Sequence, residues 1–219
     1  MIPDFYPCPL AGGGTLAEYA LACDRGRERR VLLVPALFDE ANRLRRLAVG
    51  VMQRLDGAGV DSLLPDLPGC NESLQALDRL DPEDWRTAME AAARHFRATH
   101  VLTLRGGALV APVHLPGWML APAPGTSLLR TMLRARIVMA REGGREESQE
   151  SLTALGEAQG LELAGYRLSA EFLRQFRALT VPAACPLTPI DQDLLGGGAL
   201  WLRAEPDDDP AQADALAAV

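Results

Sequence analysis

Hydrophobic positions along the chain fall into short continuous runs, separated by stretches in which apolar residues recur every three or four places. The runs are VLLVPA (31–36), VDSLLPD (60–66), HVLTL (100–104) and GWMLA (117–121). VLLVPA is continuous and rich in β-branched residues, as expected of a strand covered on both faces, and the other three read as further strands. A weaker alternation over 16–24 predicts one earlier strand, ended by a charged turn at Arg25 to Arg30. Leu44, Leu47, Ala48, Val51 and Leu55 have helical spacing, and that helix ends at Gly57 and Gly59. Asp81 precedes Pro82 and two acids, a helix start, and the buried stripe that follows is Trp85, Met89, Ala92 and Phe96. Gly106-Gly107 opens a short helix to about His114. Strand and helix thus alternate with short connections, which predicts an α/β protein: three α/β/α layers around a mostly parallel sheet.

The second half changes character. Residues 126–141 read as a basic amphipathic helix carrying Arg130, Arg134, Arg136 and Arg141, and 126–180 as a lid or helical excursion. The polar run from Arg141 to Ser151 reads as a mobile loop. Ser169 caps a further helix, with Leu168 and Leu173 as its hydrophobic staple. Gly196 to Gly198 turn the chain into a last strand over 199–204, and the Pro- and Ala-rich stretch 205–219 reads as an acidic flexible tail behind a single domain, 1–204.

Composition narrows the class. With 48% hydrophobic and 23% charged residues, 219 residues suit one globular domain and exclude a disordered or fibrous chain. A net charge of −7 excludes a phosphate backbone as an expected partner. Cys8, Cys23, Cys70 and Cys185 form no CxxC pair and no Cys/His cluster, so no metal site is expected, no cofactor is implied, and the pattern suits a reducing, cytoplasmic setting. The first residues, MIPDFYPCPL, do not have the basic start and apolar run expected of a secretory signal. Gly106 to Leu129 carries no Lys, Arg or carboxylate, but Pro112, Pro116, Pro122 and Pro124 break it, so it reads as helix, turn and strand inside a core and not as a membrane span.

The chemistry is expected at the carboxyl ends of the strands. HVLTL running straight into RGGALV has the layout of a nucleophile elbow, which needs small residues two before and two after the nucleophile. In the pentad Thr103-Leu104-Arg105-Gly106-Gly107 the nucleophile's place belongs to Arg105, which has no nucleophilic atom. Nor is a base available: the only histidines are His95, His100 and His114, and the hydrolase order of nucleophile, acid, histidine requires one further along. A serine-type acyl-enzyme is excluded on both counts.

VLLVPALFDEANRLRRLA, DSLLPDLPGCNES, PEDW and the LRGGA elbow together resemble the exosortase A system-associated hydrolase type 2 family, a branch of the α/β-hydrolase superfamily, over roughly residues 28–125. Agreement is weaker at 163–169 and 199–202. The family's pattern after the first core strand matches Pro35, Phe38, Glu40, Asn42, Arg45 and Arg46, and its Asp-Leu-x-Gly-Cys segment matches Asp66 to Cys70. The resemblance implies a reduced α/β-hydrolase fold, an elbow arginine shared by the family, and a link to bacterial exosortase or exopolysaccharide systems. The chain departs from hydrolases by its short C-terminal part.

Two functions remain open on the residues. In the first, the protein is a non-catalytic binding or accessory protein whose cleft, floored by Arg105 and walled by Glu40, Asn42, Arg46 and Asp66, holds a small anionic ligand or a protein partner. Arg105 pairing with Glu40, Asp39 or Asp66 is the structural alternative for that arginine. In the second, the protein is a hydrolase or acyltransferase using Cys70, the one candidate nucleophile at that edge, given a neighbouring cation to lower its pKa. A homodimer through the last strand or the arginine-rich helix is a third expectation.

Overall fold

The computed structural model describes residues 1–181 and 185–219. Its centre is a seven-stranded sheet built from β1 (Ile2–Pro9), β2 (Thr15–Cys23), β3 (Arg30–Val34), β4 (Asp61–Pro65), β5 (His100–Leu104), β6 (Gly117–Leu120) and, far along the chain, β9 (Leu187–Ile190). The order is β1-β2-β4-β3-β5-β6-β9. β1 and β2 are antiparallel to their neighbours; from β4 to β9 the pairing is parallel. Every residue of β3 and β4 is buried, the leucines and valines between the two helix layers and Arg30 in an ion pair with Asp61 at 3.1 Å.

Helices cover both faces. On one, α1 (Asp39–Gly57) and α7 (Pro210–Ala218) pack over Leu33, Leu64, Leu102 and Leu120. On the other, α2 (Pro82–His95), α3 (Gly125–Glu142) and α5 (Ala170–Ala178) enclose Leu32, Val34, Leu63 and Val101. Asp81 caps α2 in a full capping box with Asp84, and the Ser169 hydroxyl accepts from the Phe172 amide at the start of α5. Between β6 and β9 the chain makes an excursion of α3, α4 (Gln149–Gln159), the small hairpin β7 (Leu161–Leu163) and β8 (Tyr166–Leu168), and α5. Phe38 joins it to the core, its ring 5.3–6.3 Å from those of Trp85, Tyr166, Phe172 and Phe176.

Several elements differ from their sequence reading. β1 goes unread because Pro3, Pro7 and Pro9 interrupt it; an edge strand tolerates proline, having one side free of ladder bonds. After the elbow only a five-residue 3-10 turn forms (Arg105–Leu109), because two glycines weaken the helix and Pro112 bars its continuation. The loop expected at 141–151 is shorter: Ser148 and Ser151 form a capping box that starts α4. The last strand is β9, another edge strand with an internal proline, and Leu200–Leu202 form a 3-10 turn instead of a strand. Within the stretch read as a flexible tail, Asp209 caps and Pro210 opens α7, whose Ala213 and Leu216 are buried beside α1. No helix among the described residues is long and apolar enough to cross a membrane.

Candidate functional site

The carboxyl edge of the sheet is where the backbone is most strained. Six non-glycine residues among those described have positive φ, and four lie there: Phe38 after β3, Asn71 after β4, Arg105 after β5 and Ala121 after β6. Strain of this kind persists only where the surroundings over-determine it. At Arg105 (φ 52°) the cause is visible, because β5 passes directly into the next turn. A Cβ on Gly107 would lie 2.5 Å from the Pro35 carbonyl oxygen and 2.8 Å from that of Val34, and one on Gly106 would lie 2.5 Å from Leu128 Cδ1. The two glycines let the turn press against β3 and α3. Arg105 therefore occupies the elbow, as its place in the pentad predicts.

Its guanidinium is engaged by three groups. Nε and Nη2 donate to Oε2 and Oε1 of Glu40 at 3.1 and 3.2 Å, and Nη1 donates to the Ala121 carbonyl at 2.7 Å. The guanidinium carbon lies 4.3 Å from the centroid of the Trp201 ring, within cation–π distance. Trp201 is held in turn by Arg43, which donates to its carbonyl at 3.0 Å and lies near Asp39. One arginine thus ties the ends of β5 and β6, the start of α1 and the Leu200–Leu202 turn. Burial pushes the Glu40 carboxyl above its ordinary pKa, against the opposing pull of Arg105 and Arg43. Beside the pair lies a recess of about 40 Å³, lined by Phe38, Asp39 and Met132 among others, room for about one water.

The expected five-residue cleft is divided by this pairing. Arg105 and Glu40 form one unit. Asp66 and Asn42 line a separate cleft of about 220 Å³ between the ends of β3 and β4, with Arg45, Asn71, Pro35 and Leu104. The buried Asp66 carboxylate accepts from Asn71 Nδ2 at 2.9 Å and from Arg45 Nη1 at 3.4 Å, while its carbonyl accepts from the Tyr6 hydroxyl at 2.8 Å. Arg46 joins neither group. It is exposed on α1, roughly 100° around the helix from Arg45, and it is Arg45 that faces the cleft.

Cys70 has no activating environment. Burial, then the nearby Asp66 and Glu18 carboxylates, push its thiol up to about 12, the opposite of what a nucleophile needs. The histidines lie elsewhere: His100 begins β5 at the opposite edge and stacks on Trp118, His95 packs against Phe96 at the end of α2, and His114 sits 3.3 Å from Glu90. The carboxylate following β9 is Asp191, exposed at that strand's carboxyl end, with no histidine after it. Among the described residues, no group of three or more His, Cys, Asp or Glu could hold a metal ion. Sequence reading misses Asn71, which donates to Asp66, and Trp201, since ALWLRA reads as strand and hides a turn that presents a ring to the elbow.

No family model matches the chain, and no curated protein matches it in sequence. Solved structures do resemble it. A proposed hydrolase from Agrobacterium vitis S4 superposes with a TM-score of 0.62 at 12% identity, covering 100% of this chain and 97% of that one. Mouse alpha/beta hydrolase domain-containing protein 10 gives 0.54 at 13% identity over 87% and 77%, and Est1E from Butyrivibrio proteoclasticus, solved with ferulic acid, gives 0.53 at 16% over 81% and 72%. These identities speak for the fold alone. With this strand order, the antiparallel pair at one rim and the sharp turn after β5, the chain has the α/β-hydrolase fold.

Proposed function

We propose that this protein is a non-catalytic member of its fold, a binding or accessory protein associated with an exosortase or exopolysaccharide system. The observation that carries the reading is the elbow. A permanently cationic side chain sits where a hydrolase carries its attacking atom, and Glu40, the Ala121 carbonyl and Trp201 hold it in place. An acyl-enzyme needs a nucleophile and a base within reach of each other; Arg105 is no nucleophile, Cys70 is held protonated, and the histidines lie away from both. Binding falls to the neighbouring cleft, where Asn42, Arg45, Asp66 and Asn71 offer donors and acceptors above an apolar floor of Pro35, Leu64 and Leu104. That composition suits a small polar molecule or a polar segment of a partner. Arg105 and Glu40 support its wall from behind. The exosortase link rests on the sequence resemblance across residues 28–125.

A screen of chromogenic esters and thioesters, run on the native protein and on Cys70→Ala, tests the reading. The expected result is hydrolysis at the buffer rate for both. Turnover by the native protein that Cys70→Ala abolishes would refute it.

A further inference from the structure

A second cavity lies away from the elbow, inside the excursion between β6 and β9. Its wall is six leucines, all buried: Leu129 and Leu133 from α3, Leu152 from α4, Leu161 and Leu163 from β7, and Leu173 from α5. Gly156 of α4 faces the same space, where a Cβ would meet Leu173 Cδ1 at 2.9 Å. The volume is about 150 Å³, open on one side, and an apolar protein cavity of about that volume accepts a six-carbon guest such as benzene. The rim is polar and one-sided in charge. Arg177 is ion-paired with Glu157, whereas the exposed Arg130 has no acid partner among the described residues. Thr126, Gln149 and Thr153 complete the mouth.

From this arrangement we propose that the excursion holds a binding site for a medium-chain carboxylate, with about six carbons of the chain among the leucines and the head group on Arg130. A floor of leucine side chains selects the chain. The unneutralised guanidinium at the rim selects a carboxylate, which it can hold with two parallel donors. The site stands apart from the elbow and the Asp66 cleft, and does not depend on what either of them does.

The test is titration of the full chain with straight-chain carboxylates from butanoate to decanoate, followed by NMR line broadening of the ligand or by calorimetry, with 1-hexanol as the uncharged control. Each methylene is expected to tighten binding about fourfold until the cavity is full near six carbons, after which the gain stops. Hexanoate should exceed 1-hexanol by about fivefold, the scale of an exposed charge pair, and Arg130→Glu should erase that difference. Thr153→Trp, a change at a half-exposed helix position, should close the mouth and abolish binding while circular dichroism stays native. Absence of binding overturns the proposal. So does equal affinity for hexanol and hexanoate, chain-length gain continuing unbroken to decanoate, or unchanged affinity in folded Thr153→Trp.

Discussion

Replacing Glu40 by alanine leaves the Arg105 guanidinium without its counter-charge, and the size of the effect follows from the geometry. The two side chains are 15% and 10% exposed and share two hydrogen bonds. Breaking a fully buried pair from one side costs about 3–5 kcal/mol. Here the remaining exposure, the Ala121 carbonyl and the Trp201 ring soften the loss, so about 2–4 kcal/mol is expected. For a chain of this length, a loss of about 3 kcal/mol lowers Tm by about 6–12 °C. A double-mutant cycle isolates the pair: Glu40→Ala, Arg105→Met and the double variant, each unfolded in urea. The coupling should reach about 1–3 kcal/mol, with the double variant more stable than the sum of the single losses implies. Millimolar acetate should restore part of the Tm of Glu40→Ala and leave the native protein unchanged, because the vacated carboxylate position faces a cation. A coupling below about 0.5 kcal/mol, within the scatter seen for independent sites, would show that Arg105 and Glu40 do not act as a unit, and the description of the elbow as a locked junction would fall.

Gly107→Ala should destabilise by about 1–3 kcal/mol in urea unfolding, since its Cβ meets the backbone carbonyls of Val34 and Pro35, at the end of β3 and just past it; an unchanged midpoint would contradict the close approach. Cys70, with its thiol pushed up to about 12, should resist iodoacetamide at pH 8 in the native protein and react once the chain is unfolded, as read by peptide mass mapping; native labelling at the rate of a free thiol would contradict the burial. Leu216→Ala, which removes a buried side chain of α7 facing α1, should cost about 2–3 kcal/mol by thermal unfolding; a neutral result would detach α7 from the folded unit. Arg105→Ser should remain inactive on esters, because no histidine follows Asp191 to serve the new hydroxyl; measurable esterase activity in that variant would show that a base had been overlooked.

The parallel core was legible because its strands are buried on both faces. VLLV is apolar at every position, and SLLP and HVLTL each place adjacent apolar residues (Leu63 and Leu64, Val101 and Leu102) on opposite faces, which suits strands covered on both sides. Arg105 was legible for a different reason: the elbow is a local backbone event, written in five consecutive residues. What stayed hidden depended on partners distant in sequence. The prolines of β1 and β9 are acceptable only at a sheet rim, and nothing in IPDFYPCP or LTPI says that a rim is where they lie. α7 is rich in alanine, and Ala213 is buried where α1 presents Gly50 opposite, a position whose Cβ would stand 3.2 Å from that of Ala213. Arg45 and Arg46 are neighbours in sequence, and choosing which one faces the cleft required the phase of α1. Trp201 lies ninety-six residues after the arginine it covers, a contact no local pattern records.

Holding a bulky L-residue at φ 52° costs about 1–3 kcal/mol, and in a working hydrolase that strain serves the exposure of the nucleophile. Here the same turn is kept with a residue that cannot attack, so the strain must be offset by what the side chain gains. The gains are on the page: two hydrogen bonds to a carboxylate, one to a strained carbonyl at Ala121, and a ring face. Each of these partners belongs to a different connection of the sheet. A serine could reach none of them together; a lysine could not span Glu40 with two parallel donors or lie flat on Trp201. The turn thus persists as a junction that fixes the ends of β5 and β6 against the start of α1, and the rigidity it confers passes directly to Leu104 and Pro35, which floor the Asp66 cleft. A binding site gains from walls that do not reorganise when the ligand arrives, so under the function proposed above Arg105 would serve recognition at the adjoining cleft in place of attack at the elbow.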